Sequence, residues 1–295
     1  MSAAGPPSER VLVVGAGLMG SGIAAQAALA GFPVTLEDLT AELVERGLGR
    51  ARRALDHAVT RGEVTSASRD AAAGRIAGAV GLAAAADADV VIEAAPEELG
   101  LKRGVFAELE RQAPPTALLA SNTSSLPIGE IGRGLGRPER LVGLHFFNPV
   151  LQMPLVELIA GPASPPESLE RAARFAERLG KTVVRSADTP GFVTSRALAV
   201  LVNEAARMLE SGVADRDDID AAYRLGFRHP MGPFELVDLV GIDTAVAILD
   251  ILHAGLHDER YRAAEVLRRK VAEGKLGRKS GEGFYPYPPR AGKAP

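Results

Sequence analysis

Residues 11–38, VLVVGAGLMGSGIAAQAALAGFPVTLED, decide the fold of this chain. The stretch begins with a short apolar run, which is typical of a buried parallel strand. A glycine-rich turn follows, then a helix of small residues that ends at Gly31, and then a second apolar run that finishes at Glu37 and Asp38. Strand, turn, helix and strand within about 30 residues predict one βαβ unit.

The turn of this unit reads Gly15-Ala16-Gly17-Leu18-Met19-Gly20 and fits the pattern G-x-G-x-x-G. The first glycine permits a tight bend, the second lets the backbone approach a pyrophosphate, and the third lets helix and strand pack closely. The anion then lies on the helix N-terminus. Glycine-rich turns are common in a chain with 32 glycines, so the flanking strand and helix are what favour this interpretation. We predict that Gly15, Gly17, Leu18, Met19 and Gly20 bind a dinucleotide.

Asp38 ends the second strand, eighteen residues beyond Gly20. An acid at this place accepts hydrogen bonds from the ribose hydroxyls of a dinucleotide. A carboxylate repels a 2′-phosphate, so the sequence favours NAD over NADP, and Glu37 strengthens that argument. The alternative is a surface acid that caps the next helix, a role for which Thr40 competes.

Composition limits the class of protein. The chain has 295 residues, 46% hydrophobic content, a net charge of −3 and no cysteine. These values allow two domains, exclude disulfides and thiolate metal sites, and give no electrostatic reason to expect nucleic acid. No apolar run approaches the roughly 18 residues of a membrane span, and no secretory pattern begins the chain. We therefore predict a cytoplasmic protein with no membrane partner.

Charged helical patterns and apolar strand patterns then alternate along the chain. Residues 41–78 have a helical pattern with many arginines, and Gly62 and the polar residues near Ser66 indicate a helical hairpin. Further strands are predicted at residues 89–93, 118–121, 141–147, 155–159 and 182–185. Alternating strands and helices predict an α/β doubly wound sheet over residues 1–188. Residues 189–295 have helical periodicity and are predicted to form a second, all-helical domain.

The segment from Ser121 to Glu157 contains the residues suited to chemistry. A hydroxyl-rich run, SNTSS, occupies residues 121–125, and His145 and Glu157 both lie inside apolar runs. These two residues are equidistant from Leu151, so two strands folding back about that residue would place them opposite each other, about 5 Å apart. A histidine paired with a carboxylate is what proton transfer at an alcohol or carbonyl requires. The alternative, equally favoured by spacing alone, is a core histidine bonded to a backbone carbonyl, with Glu157 at an exposed edge.

Two further patterns have competing interpretations. Ser124 or Ser125 could simply cap a helix that begins near Ile128. His253 and His257 have the i,i+4 spacing of a metal-binding helix. No HExxH glutamate accompanies them and no third ligand is evident, so we predict no metal site.

With these residues identified, seven ordered motifs show that the chain resembles the L-3-hydroxyacyl-CoA dehydrogenase family, of the 3-hydroxybutyryl-CoA type. They span nearly the whole chain. The motifs are GAGLMGSGI (15–23), VIEAAPEELGLK (91–102), SNTSS (121–125), HFFNP (145–149), PGFV (190–193), PMGPFELVD (230–238) and GKLGRKSGEGFY (274–285).

The resemblance implies a Rossmann-like NAD-binding domain with a helical-hairpin insert, followed by a helical domain that binds substrate and mediates a homodimer. It also implies the chemical roles of three residues. His145 resembles the catalytic base, Glu157 the acid that orients it, and Ser124 the serine that hydrogen-bonds the reacting oxygen. Position in the motifs implies cofactor contacts for a further set, Asp38, Glu97, Lys102 and Lys279. Arg61 lies where the family has a basic residue directed toward the CoA phosphates.

One position departs from the family pattern. Where the second domain begins, the family usually has an asparagine that contacts substrate, and this chain has Ser195. Serine still donates a hydrogen bond, but its reach is shorter. A buried donor that no longer reaches its acceptor costs about 1–3 kcal/mol, which would lower kcat roughly ten- to a hundredfold if the loss falls on the transition state.

The resemblance therefore predicts NAD-dependent oxidation of a short-chain L-3-hydroxyacyl-CoA, or the reverse reaction, with acyl-CoA as the substrate partner. Ser195 leaves two alternatives open. One is a dehydrogenase that acts on a free 3-hydroxy acid or a carrier-protein thioester. The other is a weakly active NAD-binding structural or sensor protein, against which the joint presence of His145, Glu157 and Ser124 argues.

Overall fold

The structure, a computed structural model, describes residues 9–287. The chain divides into two compact units, Met1–Thr189 and Pro190–Pro295. The division lies one residue beyond the predicted end of the first domain at 188.

The first unit is built on an eight-stranded sheet with the order β3-β2-β1-β4-β5-β6-β7-β8. All neighbouring strands are parallel except β6 and β7, which are antiparallel. The strands are β1 (Val11–Val14), β2 (Val34–Asp38), β3 (Ile76–Val80), β4 (Val90–Glu93), β5 (Leu118–Ser121), β6 (Leu141–Phe146), β7 (Leu155–Ala160) and β8 (Thr182–Ala187). The first strand lies near the middle of the sheet, so the loop that follows it opens at the centre of the sheet's carboxyl edge.

Helices pack against this sheet. They are α1 (Leu18–Leu29), α2 (Ala41–Thr60), α3 (Ser66–Ala73), α4 (Leu99–Gln112), α5 (Ile128–Ile131) and α6 (Pro166–Arg178), with short 3-10 helices at Leu82–Asp87 and Pro138–Arg140. The small residues of α1 let it pack closely, and Ala24, Ala25 and Ala28 are fully buried. The predicted α/β architecture of this unit is confirmed.

One part of the predicted hairpin insert is wrong. Residues 41–73 form α2 and α3 as predicted, but Ile76–Val80 are the edge strand β3 and not helix. The sequence of β3, IAGAV, has three small residues at its centre, and the strand is only partly buried. Three small residues give a weaker strand signal than the branched apolar residues by which the inner strands were identified.

The second unit is helical, as predicted. Its helices are α7 (Thr194–Glu210), α8 (Arg216–Gly226), α9 (Pro233–Val240), α10 (Ile242–Leu256) and α11 (Glu265–Ala272), with 3-10 helices at Glu259–Tyr261 and Arg278–Ser280. Its core contains Phe234, Leu249, Leu252 and Leu267, which are fully buried. In residues 9–287 no single helix is long and apolar enough to cross a bilayer, and α9 and α10 pass that test only together, with a 95° bend between them.

Two buried aspartates join the C-terminal motifs of this unit. Asp220 accepts hydrogen bonds from the amide of Phe234 at 2.8 Å and the hydroxyl of Tyr285 at 2.9 Å. Asp238 accepts from the amides of Phe284 and Tyr285, both at 2.9 Å. PMGPFELVD and GEGFY thus meet at side-chain carboxylates that satisfy backbone N–H groups.

Glycine is required beside each of these carboxylates. A Cβ at Gly232 would lie 2.2 Å from Cγ of Asp220, and one at Gly283 would lie 2.0 Å from Oδ1 of Asp238. A side chain at either place would displace the acid from its amides. These two motifs are therefore explained by packing within the second unit.

Candidate active site

The glycine-rich loop follows β1 and begins α1. Gly15 has φ +96°, and a Cβ at Gly20 would lie 1.8 Å from the carbonyl oxygen of Gly15. Both glycines are therefore required by the loop itself. At Gly17, in contrast, a Cβ would meet no atom within 4 Å, and this residue begins α1 without any side-chain cap. The open space over a helix N-terminus fits a pyrophosphate.

The two residues predicted to share this anion site lie in the first turn of α1. Leu18 is 63% exposed and Met19 is partly buried. Their backbones therefore belong to the same uncapped helix end as Gly17.

Asp38 lies at the end of β2, beside the loop. Its Oδ2 accepts a hydrogen bond from the amide of Ala16 at 2.8 Å, and its Oδ1 accepts from Leu39 at 2.7 Å. The alternative of a helix cap is wrong, because Thr40 caps α2 by accepting from the amide of Leu43. Asp38 is thus held against the glycine loop, where a ribose-binding acid is expected.

Glu37 contributes less negative charge than the sequence suggested. The residue is 2% exposed, and burial together with the neighbouring charge of Asp38 raises its pKa to about 7. A substantial fraction of the Glu37 carboxyl is therefore protonated near neutral pH. The electrostatic discrimination against a 2′-phosphate depends mainly on Asp38.

Glu97 organises the hydroxyl-rich loop that follows β5. Its Oε1 accepts from the Thr123 hydroxyl at 2.6 Å and from the amides of Ser124 and Ser125 at 3.0 and 3.1 Å. Burial acts to raise the pKa of Glu97, but the charge of Lys102 and the hydrogen bonds of the loop outweigh it and lower the pKa. Glu97 is therefore ionised at neutral pH and fixes the backbone that positions Ser124.

The helix-cap interpretation of Ser124 and Ser125 is wrong. The amides of Ile128 and Gly129 at the start of α5 instead donate to the carboxylate of Asp188, at 2.6 and 2.7 Å.

Lys102 is enclosed beneath this loop, with its side chain 1% exposed. Its Nζ donates to Glu93 Oε1 at 2.6 Å and to the carbonyl of Ala95 at 3.1 Å, and lies 3.5 Å from Glu97. The ammonium thus balances the charges of two glutamates. Lys102 therefore helps to hold the Glu97 carboxylate in place through an ion pair.

Two buried groups beside this loop, Glu93 and the Ser121 hydroxyl, were not identified from sequence patterns. Glu93 is fully buried at the end of β4, and its Oε2 accepts from the Ser121 hydroxyl at 2.6 Å. The signal was present, because an acid directly after an apolar strand run is the same pattern that identified Asp38. Asn122 was missed as well, and its Oδ1 accepts from the amide of Phe146 at 2.8 Å, which joins the hydroxyl-rich loop to β6.

His145 and Glu157 lie directly opposite each other on β6 and β7, as their spacing about Leu151 predicts. The distance from His145 Nδ1 to Glu157 Oε2 is 2.8 Å. His145 is 7% exposed and Glu157 is fully buried, so the alternative with Glu157 at an exposed edge is wrong. A carboxylate at Nδ1 favours the neutral tautomer with the proton on that nitrogen. Nε2 then has the form of a proton acceptor.

A cavity of about 280 Å³ lies between α1, α2 and the connection from β6 to β7. Arg50, His57 and Arg61 of the α2 region line it, together with Asn148 and Gln152 of the connection. Arg61 donates through Nε and Nη2 to the Glu63 carboxylate at 2.6 and 2.7 Å. The predicted phosphate-binding arginine therefore already has an acidic partner.

The remaining predicted residues lie in the second unit. Ser195, in the first turn of α7, is 7% exposed. Lys279 pairs with Asp243, with Nζ 2.7 Å from Oδ2. His253 bonds Glu259 at 3.0 Å, and in residues 9–287 no three His, Asp or Glu side chains gather as metal ligands. Roles for Ser195 and Lys279 at the site remain predictions.

Comparison with known proteins agrees with this geometry. Residues 10–189 match the family described as "3-hydroxyacyl-CoA dehydrogenase, NAD binding domain", and residues 191–287 match the corresponding C-terminal domain. The probable 3-hydroxybutyryl-CoA dehydrogenase of Bacillus subtilis is 45% identical over 95% of this chain and 97% of its own length. The 3-hydroxybutyryl-CoA dehydrogenase of Bradyrhizobium diazoefficiens is 44% identical over 95% of each chain.

Solved structures give the same result. The crystal structure of M. tuberculosis FadB2 is 43% identical, with a TM-score of 0.92 over 95% of this chain and 99% of its own. That of (S)-3-hydroxybutyryl-CoA dehydrogenase PaaH1 from Ralstonia eutropha is 37% identical, with a TM-score of 0.90 over the same shares. The chain therefore belongs to the 3-hydroxyacyl-CoA dehydrogenase family, and its first unit contains that family's NAD-binding domain.

Proposed function

We propose that this protein interconverts a short-chain L-3-hydroxyacyl-CoA, such as 3-hydroxybutyryl-CoA, and the 3-ketoacyl-CoA with NAD as cofactor. The observation that carries the proposal is the buried His145–Glu157 pair, in a chain whose relatives are named 3-hydroxybutyryl-CoA dehydrogenases. A pair of this kind supplies the acid–base half of a hydride transfer.

His145 acts as the base in this proposal. When bound, NAD accepts hydride from C3 of the substrate. As the C3–H bond breaks, Nε2 of His145 takes the proton of the 3-hydroxyl group, and the carbon–oxygen double bond forms. Glu157 holds the imidazole in its tautomer and stabilises the imidazolium, as a carboxylate does in a catalytic triad. In the reverse direction the imidazolium protonates the forming alkoxide.

Ser124 donates a hydrogen bond to the reacting oxygen. Its position is supported by the contacts of Glu97 with the amides of Ser124 and Ser125. Because Lys102 balances Glu97 from behind, the loop is held before substrate arrives, and such preorganisation is what makes a hydrogen-bond donor effective. Ser195 is proposed as a second hydrogen-bond donor to the reacting oxygen.

The cofactor is bound by the glycine loop and by Asp38. Gly17 and the first turn of α1 would hold the pyrophosphate, and the Asp38 carboxylate would accept hydrogen bonds from the adenosine ribose. Glu97 and Lys279 are proposed as further cofactor contacts, and Lys102 is proposed to act through its ion pairs with Glu93 and Glu97.

Acyl-CoA binds with its phosphates at Arg61. Support comes from the cavity beside α2, which is lined by Arg50, His57 and Arg61. A guanidinium is a strong bidentate phosphate ligand.

Substrate class is tested by steady-state assays with acetoacetyl-CoA, free acetoacetate and a carrier-bound acetoacetyl group, each with NADH and NADPH. We expect the highest kcat/KM with acetoacetyl-CoA and NADH. Higher kcat/KM with the free acid or the carrier thioester would favour the related dehydrogenase. Tight NADH binding without turnover of any of the three would favour a structural or sensor protein.

We also propose that the protein is cytoplasmic and that its second unit forms a homodimer. The support for the dimer is the pair Leu225 and Phe227, which are 82% and 66% exposed at the end of α8. Two large apolar side chains exposed near each other form a patch that a second copy of the chain would cover. Light scattering of the protein and of a Leu225→Glu, Phe227→Glu variant tests it, because charge at this surface should give a monomer.

A further inference from the structure

The strongest unexplained contact beside the proposed substrate cavity is the Arg61–Glu63 pair. Two parallel N–H groups of Arg61 meet the two carboxylate oxygens of Glu63, at 2.6 and 2.7 Å. Their hydrogen bond raises the pKa of Arg61 and lowers that of Glu63, so both groups are charged at neutral pH. This is the fork geometry by which arginine also binds a phosphate.

The cavity beside Arg61 is basic and suits an anion. Arg50, His57 and Arg61 recur at helical spacing along α2 and its end, and they line one cavity. No acidic residue is among the described residues that line it. Glu63 instead lines a neighbouring cavity of about 520 Å³, which shares Leu151 and Gln152 with the first. Arg61 thus lies at the edge of a basic cavity, and its counter-ion comes from outside that cavity.

We propose that Glu63 is a specificity-determining residue that competes with the phosphate groups of CoA for the guanidinium of Arg61. The inference rests on the proposed acyl-CoA function and deepens it. Glu63 holds the Nε–H and Nη2–H groups that a phosphate would otherwise take in a bidentate contact, and its negative charge opposes a phosphate at the remaining N–H groups of the guanidinium. Glu63 therefore weakens the binding of CoA thioesters and leaves the binding of phosphate-free thioesters unchanged. It sets the affinity for one part of the substrate that lies far from the reacting carbon.

The test compares Glu63→Gln with the unmodified protein on two substrates. One is acetoacetyl-CoA, and the other is S-acetoacetyl-N-acetylcysteamine, which has the same reacting group and no phosphate. We expect the KM for acetoacetyl-CoA to fall about two- to fivefold, the range expected for an exposed ion pair, with no change in KM for the phosphate-free thioester. The effect belongs in KM because the phosphate contact is the same in ground and transition states. High salt should reduce it.

Two controls isolate the contact. Glu42→Gln removes the same charge from α2, where Glu42 faces Arg46 at 3.8 Å, and should not change either KM. In an Arg61→Gln background, Glu63→Gln should lose its effect, because the fork for which Glu63 competes is gone.

Three results would overturn the proposal. The first is an equal change in KM for both thioesters, and the second is an equal change in KM from Glu42→Gln. The third is a rise in KM for acetoacetyl-CoA in Glu63→Gln, because Glu63 would then position Arg61 for the phosphate. Calorimetric titration with CoA alone separates this proposal from the proposed function. If the protein turns over no acetoacetyl-CoA, the reaction is wrong, while a Kd for CoA that is lower in Glu63→Gln still supports the competition.

Discussion

Both units bury carboxylates, but they use them differently. In the first unit Glu157 meets an imidazole, and Glu97 meets the hydroxyl and amides of a loop. In the second unit Asp220 and Asp238 mainly accept from backbone amides of their own unit. The buried carboxylates of the first unit thus contact side chains and a loop of the candidate site, whereas those of the second unit mainly satisfy backbone N–H groups.

The glycines show the same difference. Gly232 and Gly283 have no room for a Cβ because an aspartate carboxylate fills that place. Gly17 has nothing within 4 Å of a Cβ position, so packing alone does not require glycine there. Gly17 differs from these two because it lies at the uncapped N-terminus of α1, where open space leaves room for an anion.

The largest effect should come from the first unit's histidine. We predict that His145→Asn lowers kcat about 10²- to 10⁴-fold, the usual contribution of a general base. The free energy of unfolding should change little, because asparagine retains a polar group beside Glu157. Steady-state rates of NADH oxidation and urea unfolding measure the two quantities. If the free energy of unfolding fell in proportion to kcat, His145 would instead have a structural role, like that of Asp220 and Asp238.

Glu157→Gln should have a smaller effect on the same reaction. Glutamine can keep a hydrogen bond to the ring but does not stabilise an imidazolium, so we expect kcat to fall on the order of ten- to a hundredfold. A Glu157→Gln protein with full kcat would remove the carboxylate from the mechanism.

The second unit should give the opposite result. Asp238→Ala leaves the buried amides of Phe284 and Tyr285 without their acceptor, which should cost about 2–4 kcal/mol of unfolding free energy. Thermal or urea unfolding measures that loss. At a temperature where the variant is folded, kcat per folded molecule should be close to normal. A fall in kcat without a fall in stability would contradict the structural role.

Most of the fold could be predicted from sequence because its signals are local. The βαβ unit, the inner strands and the helical second domain all follow from apolar periodicity and glycine placement. The edge strand β3 was not predicted, because its three central residues, Ala-Gly-Ala, have little strand preference and the strand is only partly buried. Its pairing with β2 makes it a strand. Tertiary contact decides such a segment.

The site was predictable where two strands fix the spacing. His145 and Glu157 follow from equal distances to a turn. The contacts of Glu97 and Lys102 join residues on different elements. Sequence spacing therefore gave no indication that the Lys102 side chain is buried. The acceptor at the start of α5 was also not predictable, because Asp188 is 60 residues away from Ile128 in sequence. Only the folded chain brings that acceptor to α5.

A fourth prediction concerns Glu37, a buried acid of the first unit that contacts no imidazole. Burial raises the pKa of Glu37 from 4.5 to about 7. Between those values the folded protein binds more protons than the unfolded chain, so Glu37 lowers stability as pH rises. Glu37→Gln should therefore be more stable than the parent above pH 7, by up to about 3 kcal/mol, and equally stable near pH 4.5.

Urea unfolding across this pH range measures the difference, in the absence of cofactor. Glu42→Gln is the matched control, since the Glu42 side chain is 80% exposed and its removal should give no such pH dependence. A stability difference that does not change with pH would mean that the pKa of Glu37 is the same in the folded and unfolded states.

The smallest effect tests whether the second unit contributes a contact to the reaction at all. Ser195 is 7% exposed in the first turn of α7, at the position where the family usually has asparagine. If its hydroxyl donates to substrate, Ser195→Ala should lower kcat about two- to tenfold, the worth of one neutral hydrogen bond. Ser195→Asn should raise kcat if reach is what serine lacks, and unfolding measurements show whether the larger side chain is accommodated. Unchanged kcat and KM in Ser195→Ala would mean that this position serves only the packing of its own unit.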